Sequence, residues 1–254
     1  MKHENVWQIM EVQQETRQEA AFMALAHPTQ KATVIEFVGP PGAGKTSNCY
    51  CYTAVLRQQG YQVLTLKEIK DHVKKISQTQ RTLLILKTVF KHLPTLVVYA
   101  FTLALNKIFS LNSILRYVRI AVFDTVLHQH IKTKKVDFVL LEQWMIQELW
   151  SATIFRLKSY NKIEKQLHRF YLQTDQVLYF DIDMETASVR ITNRTSKLSR
   201  FDRMDPQRRL RKLKQYNTYL YNLYLHSPCP VKYVISTKST PEENATRFLR
   251  HLSL

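Results

Sequence analysis

Glycine is nearly absent from this chain, with four in 254 residues. Three of them, Gly39, Gly42 and Gly44, fall in one short stretch, and the fourth is Gly60. A chain so sparing of glycine concentrates it where the backbone turns sharply or approaches a ligand closely. Cysteine is also rare: Cys49, Cys51 and Cys229 make an odd count with no Cys-x-x-Cys spacing, so the usual metal-ligand pattern is missing. Cys49 and Cys51 stand two apart on a predicted helix and point in different directions, which suits small buried apolar residues in a reducing cytoplasm. Acids are outnumbered, 20 against 37 Lys and Arg, for a net charge of +17. That excess attracts polyanions such as nucleoside triphosphates, nucleic acid or an anionic membrane surface, without choosing among them. No internal repeat, low-complexity linker or guanine-specifying Asn-Lys-x-Asp occurs, so ATP is the default nucleotide. Residues 1–30 are polar and mixed in charge, without a secretory pattern. Val6, Ile9, Met10 and Val12, then Ala21, Phe22, Met23 and Leu25, suggest an amphipathic N-terminal helical extension.

What is present is concentrated at residues 39–46, Gly-Pro-Pro-Gly-Ala-Gly-Lys-Thr, directly after the apolar run Val34-Ile35-Glu36-Phe37-Val38. Gly, four free positions and Gly-Lys-Thr is the pattern of a phosphate-binding loop, and each fixed residue has a physical task. Glycines let successive N–H groups turn inward on phosphate oxygens, and the helix that follows presents its positive end there. In this reading Gly39, Gly42, Ala43, Gly44, Lys45, Thr46 and Ser47 bind the nucleotide. Lys45 reaches the β- and γ-phosphates, and Thr46 is a magnesium ligand.

The rest of the chain reads as an α/β domain over residues 31–254. Residues 45–59 form a helix stopped by Gly60, and 61–66 a second strand, making a βαβ start and hence a parallel sheet. Residues 67–135 look helical throughout, an insert between the second and third strands. Within it the run from His92 to Asn106 is apolar nearly all round; shorter than a membrane span and carrying Pro94, it is expected to be a buried helix. A second helical segment, about 111–132, places Leu115, Val118, Val122 and Val126 on one core-facing side, with Arg116 and Arg119 beside it. The third strand, 138–141, ends in Glu142, an acid at a strand's carboxyl end that suits a magnesium-holding or basic carboxylate. Residues 144–172 read as a helix with Trp144, Ile146, Leu149 and Trp150 in the core. A fourth strand at 176–180 leads to the cap Asp183 and a helix carrying Arg190 and Arg194 on one face. The basic segment continues through Lys197, Arg200, Arg203, Arg208, Arg209, Arg211 and Lys212, so residues 195–205 read as a phosphate-directed lid between two helices. Asp205-Pro206 starts the next helix, whose Tyr216, Tyr219, Tyr221 and Tyr224 are placed for packing. Residues 231–236 form a fifth strand, and Thr240 with Glu243 a capping box for the last helix.

The combination of Gly-Pro-Pro-Gly-Ala-Gly-Lys-Thr with the stretches at 180–194 and 200–205 resembles the thymidylate kinase and deoxynucleoside kinase branch of P-loop kinases. The likeness covers the loop, the third strand and roughly residues 176–225. It implies a P-loop NTPase fold with a five-stranded parallel sheet flanked by helices, an acceptor site between the second and third strands, and an arginine-bearing lid. By this resemblance Arg190 and Arg194 lie near the adenine and the transferring phosphate, and Arg200 and Arg203 are lid contributors. The chain departs from the pattern after Glu142, where Gln143 stands in place of the family's acceptor-gripping arginine; Arg116 or Arg119 are the candidates to replace it.

The function expected is an ATP- and magnesium-dependent kinase of a small molecule, a nucleoside or nucleotide among the candidates, in a cytoplasmic protein. Lys45, Glu142, Arg190 and Arg194 form the catalytic set, Thr46 and Glu142 hold the metal, and Glu68 and Asp71 are additional acceptor contacts. The alternative is a nucleotide-switched binding module that docks nucleic acid or an anionic membrane through its basic surface.

Overall fold

A computed structural model describes residues 32–154, 166–172, 174–195 and 199–252. The proposed N-terminal extension therefore lies outside the described residues, as do 196–198 of the basic loop.

Five apolar stretches become strands of one all-parallel sheet: β1 (Thr33–Val38), β2 (Val63–Thr65), β3 (Phe138–Glu142), β4 (Gln176–Asp181) and β5 (Val231–Ser236), in the order β2-β3-β1-β4-β5. Parallel strands covered on both faces need side chains that are apolar in both directions. Ile35, Phe37 and Val38 of β1, and Val139, Leu140 and Leu141 of β3, are accordingly all buried. Phe37 stacks on Phe180 of β4 with ring centroids 5.5 Å apart, and meets Tyr52 edge-on at 5.4 Å.

The strand order sets the position of the loop. The chain leaves β1 through α1 (Lys45–Gln58) to reach β2 on one side, and leaves β3 through α5 (Met145–Thr153) to reach β4 on the other. Crossovers of one hand running in opposite directions place their helices on opposite faces. Among the other helices are α4 (Leu111–Thr133), α7 (Pro206–His226) and α8 (Pro241–Leu252); α1 packs against α8, whereas α5 packs against α4 and α7. The carboxyl ends of β1 and β3, from which the chain crosses over in opposite directions, lie side by side, the position at which such sheets bind ligands.

The insert is not helical throughout, because capping residues divide it into α2 (Leu66–Lys75), α3 (Gln78–Leu105) and α4. Thr65 and Ser77 each close a capping box, with Glu68 and Gln80, and Ser110 accepts a hydrogen bond from Ser113 N. Two expectations about this insert are overturned. The run within α3 is mostly exposed rather than buried: only Thr88, Leu96, Tyr99 and Leu103 of the helix are fully buried, and Leu84 and Val89 are partly so. It packs one narrow face on α4 and leaves the remainder outside. On α4, Val122 and Val126 are buried but Leu115 is exposed, because the first turns of the helix are covered on the opposite face, through Ser113 and Tyr117. The long helix expected over 144–172 ends at Thr153; residues 155–165 lie outside the described set, and 168–170 form a 3-10 turn.

Later elements follow the sequence closely. Asp183 caps α6 (Met184–Thr192) by accepting from Thr186 N, and Asp205 accepts from Gln207 N and Arg208 N ahead of Pro206. Thr240 and Glu243 make both capping-box bonds. Tyr216, Tyr219 and Tyr224 are buried, and Tyr221, partly exposed, meets Tyr179 edge-on at 5.1 Å. The cysteines are free thiols, Cys49 and Cys229 buried and Cys51 half-buried. Of the described helices, α3 alone is long and apolar enough to cross a membrane.

Candidate functional site

The glycine loop joins the end of β1 to the N-terminus of α1, and its geometry depends on the glycines. Gly42 has φ +91°, and a Cβ there would lie 2.6 Å from the Ala187 carbonyl oxygen, so the loop is seated directly on α6. Gly44 takes φ 81°, ψ 16° as the residue preceding α1, which turns the chain into the helix. Ala43 N donates to Pro40 O at 3.2 Å, closing the turn between them. Thr46 and Ser47, in the first turn of α1, are exposed at this mouth.

Lys45 points back into the loop. Its amine donates to Gly39 O at 2.6 Å and Pro40 O at 3.0 Å, with the residue only 7% exposed. Burial pushes its pKa down to about 7, Arg194 adds to the depression, and Glu142 opposes it. Lys45 is thus a buried amine under opposing influences of an arginine and an acid.

Glu142 ends β3 in register with Phe37, one residue before β1 enters the loop region. Its Oε2 is buried with no partner. It lines a cleft of about 210 Å³ together with Thr46, Thr65, Glu68 and Asp71. Thus Thr46 and Glu142, which the sequence pairs as metal ligands, do share one cleft. An unsatisfied carboxylate oxygen beside an exposed hydroxyl fits a hard cation that keeps most of its waters and takes few protein ligands. Among the described residues no cluster of three or more His, Cys, Asp or Glu would hold a metal alone. Glu68 is committed to structure: besides capping α2, it pairs with Arg57 at 2.7 Å. Asp71 remains at the rim, 3.4 Å from Lys74. A larger hollow of about 880 Å³ along β2, lined by Tyr61, His72, Lys75 and His130, touches no residue of the glycine loop.

The arginines divide into two groups. Arg190 stands above the loop, its Nη1 3.9 Å from where a Gly44 Cβ would be. Arg194 lies 3.9 Å from Asp202 Oδ1 and close enough to Lys45 to depress its pKa. Arg200 instead donates to Ser151 O at 2.8 Å and Ser151 Oγ at 3.2 Å, while Phe201 stacks on Trp150 at 5.9 Å. The basic loop is therefore moored on α5 by its aromatic residue, and Arg203 is exposed. Arg116 and Arg119 from α4 both pair with Glu148 of α5, at 2.6 Å and 2.8 Å. Lys70 completes this second group. Burial lowers its pKa, with Glu142 and Glu148 opposing and Arg119 and Lys74 adding to the effect.

Sequence reasoning missed four of these features. Glu148 and Lys70 belong to no local motif that would single them out. Gln143 adopts φ 67°, a left-handed conformation unusual for a residue other than glycine, and it turns the chain from Glu142 into α5. Glu36, wholly buried in the middle of β1, accepts a hydrogen bond from Ile146 N at 2.8 Å through Oε1 and leaves Oε2 without a partner. Burial pushes its pKa up to about 8 against the opposing N–H groups of Ile146 and Gln147. The available signal was one acid inside an otherwise apolar strand. Gln147 Oε1 in turn faces Gly39 N at 3.4 Å, so the first turn of α5 is tied to both β1 and the loop.

A five-stranded all-parallel α/β sheet with a glycine loop, a buried lysine and an unpaired carboxylate at its switch point is the class of architecture the coordinates define. No family model and no curated protein matches this chain.

Proposed function

We propose that the protein is an ATP-dependent phosphotransferase acting on a small molecule, with residues 39–46 as its phosphate-binding loop. The observation that carries this reading is the placement of Lys45 beneath a glycine loop at a helix N-terminus, near enough to Glu142 at the end of β3 for the carboxylate to act on its charge. In this mechanism the loop amides and Lys45 hold the β- and γ-phosphates of the donor. Thr46 and Glu142 would hold magnesium, which neutralises phosphate charge when bound. Arg190 stands beside Gly44 and Arg194 near Lys45, where they would offset negative charge that spreads over the transferred group. The acceptor enters beside Asp71 and Thr65, at the carboxyl end of β2. Gln143 gives it no guanidinium; the cations that line this cleft are Lys67 and Arg57, the latter paired with Glu68, while Arg116 and Arg119 are paired with Glu148.

The test is a screen of nucleosides, nucleotides and other small hydroxyl compounds for magnesium-dependent ATP consumption above the no-acceptor background, run beside Lys45→Ala. An acceptor-dependent rate that falls at least about a hundredfold in Lys45→Ala supports the reading. Unchanged ATP binding and turnover in that variant overturns it.

A further inference from the structure

The surface of α3 has no role in the chemistry above. Phe90, Val97, Phe101 and Leu105 are each 60% exposed or more, and the apolar surface continues through Leu111 and Leu115 at the start of α4. At 3.6 residues per turn, the positions from Leu93 round to Val98 cover an arc of about 140°. That is wider than the narrow seam by which one helix grips another in a coiled coil. The opposite face, with Leu96, Tyr99 and Leu103, is buried and packs on α4, so the helix is held lengthwise against the protein.

The exposed lysines that border this face, Lys87, Lys91 and Lys107, are all positive, whereas Arg116 and Arg119 are paired with Glu148. Between Asp71 and Asp124 the sequence contains no acid at all, but it has Lys74, Lys75, Arg81, Lys87, Lys91, Lys107, Arg116 and Arg119. Lys87 and Lys91 are exposed along one border of the apolar stripe, and Lys107 is exposed just beyond its end. A second copy of the chain would set this acid-free helix against another surface of like charge. Nucleic acid would satisfy the lysines but leave the phenylalanines in water. An anionic bilayer meets both, because its headgroups pair with flanking cations while its acyl boundary receives the apolar side chains.

We propose that the protein docks peripherally on an anionic lipid surface, laying the exposed face of α3 and the start of α4 into the headgroup–acyl boundary with Lys87, Lys91 and Lys107 among the headgroups. This is independent of whether the chain is a kinase. The helix lies in the interface and does not cross it, since one of its faces is already packed on α4 and two lysines interrupt its first half.

The experiment is flotation of the full chain with vesicles of phosphatidylcholine alone, or of phosphatidylcholine and phosphatidylglycerol in equal parts, at low and high salt. Binding to the anionic vesicles is expected to exceed that to neutral ones by at least about tenfold and to weaken as salt screens the headgroups. Reversing Lys87 and Lys91 (K87E with K91E) weakens anionic binding about fivefold or more per residue. Phe90→Ser with Phe101→Ser, both at exposed positions that the fold does not need, weakens it about tenfold or more per residue at low salt. Circular dichroism confirms that the variants fold. Absence of vesicle binding, or binding that the phenylalanine variant leaves intact, overturns the proposal. So does a concentration-dependent doubling of mass abolished by that variant, which assigns the face to a second copy, and so does resistance to alkaline carbonate extraction, which assigns α3 to a span.

Discussion

Replacing Glu36 with Gln removes a pH dependence of stability that the wild-type protein carries in the centre of its sheet. In the unfolded chain this carboxyl ionises near its ordinary value of 4.5, whereas in the fold burial raises its pKa to about 8. Between those values the native state keeps a proton that the unfolded state has released. Stability from this group is therefore complete below about pH 4.5, falls as pH rises, and levels off above about pH 8. The slope is about 1.4 kcal/mol per pH unit, and over the whole window the loss is on the order of 4–5 kcal/mol. For a domain of typical stability that is a large fraction of the total. Gln has the same shape, stays neutral, and still offers an oxygen to Ile146 N, so Glu36→Gln isolates the ionisation. The assay is urea unfolding followed by tryptophan fluorescence, which reports on buried Trp144 and Trp150, at several pH values from about 5 to about 8. The variant is expected to match the wild type at the acid end and to exceed it increasingly towards the alkaline end. Parallel stability curves for the two proteins would refute the reasoning, as would a wild-type advantage at alkaline pH.

Other outcomes follow from the same coordinates. Gly42→Ala combines a left-handed φ with a 2.6 Å overlap on the Ala187 carbonyl and should cost about 3 kcal/mol, while Gly60→Ala, at φ +86° in open space, should cost only about 1 kcal/mol; urea midpoints separate them. Glu148→Gln leaves Arg116 and Arg119 without their shared counter-charge, and with Arg119 half exposed the expected destabilisation is about 1–2 kcal/mol in the same assay. Asp205→Ala removes the acceptor for two N–H groups at the start of α7 and should cost about 1 kcal/mol by thermal melting.

What could be read from the sequence was local. Strands appeared as apolar runs, and Gly60, Asp183, Asp205 and Thr240 marked helix ends through chemistry contained within a few residues. The loop was legible for the same reason, since its glycines and Lys45 are contiguous. Relations across the fold were not. Glu36 gives no sign that its partner is Ile146, because only the sheet brings β1 beside α5. Arg116 and Arg119 read as flanking cations until α4 and α5 meet and Glu148 takes both. The mooring of the basic loop depends on Phe201 finding Trp150, a pairing between residues far apart in the chain. The apolar run of α3 misled in a different way: when nearly every position is apolar, periodicity cannot indicate which face the protein covers. Leu115 failed similarly, since spacing places it on a face but not within the core.

The central position of β1 also affects how the chain is made. Thr33 pairs with Phe138, and Ile35 with Gln176, so both neighbours of this strand emerge from the ribosome long after it does. At about 5–20 residues per second, an apolar hexapeptide of high strand propensity waits several seconds or more without either partner. Such a segment is a template for pairing with another nascent chain. A carboxylate ionised in the unfolded chain, placed in the middle of the segment, acts as a gatekeeper against that fate. In this view the acid that costs the finished sheet stability at neutral pH guards the nascent chain against aggregation while its partners are still being synthesised.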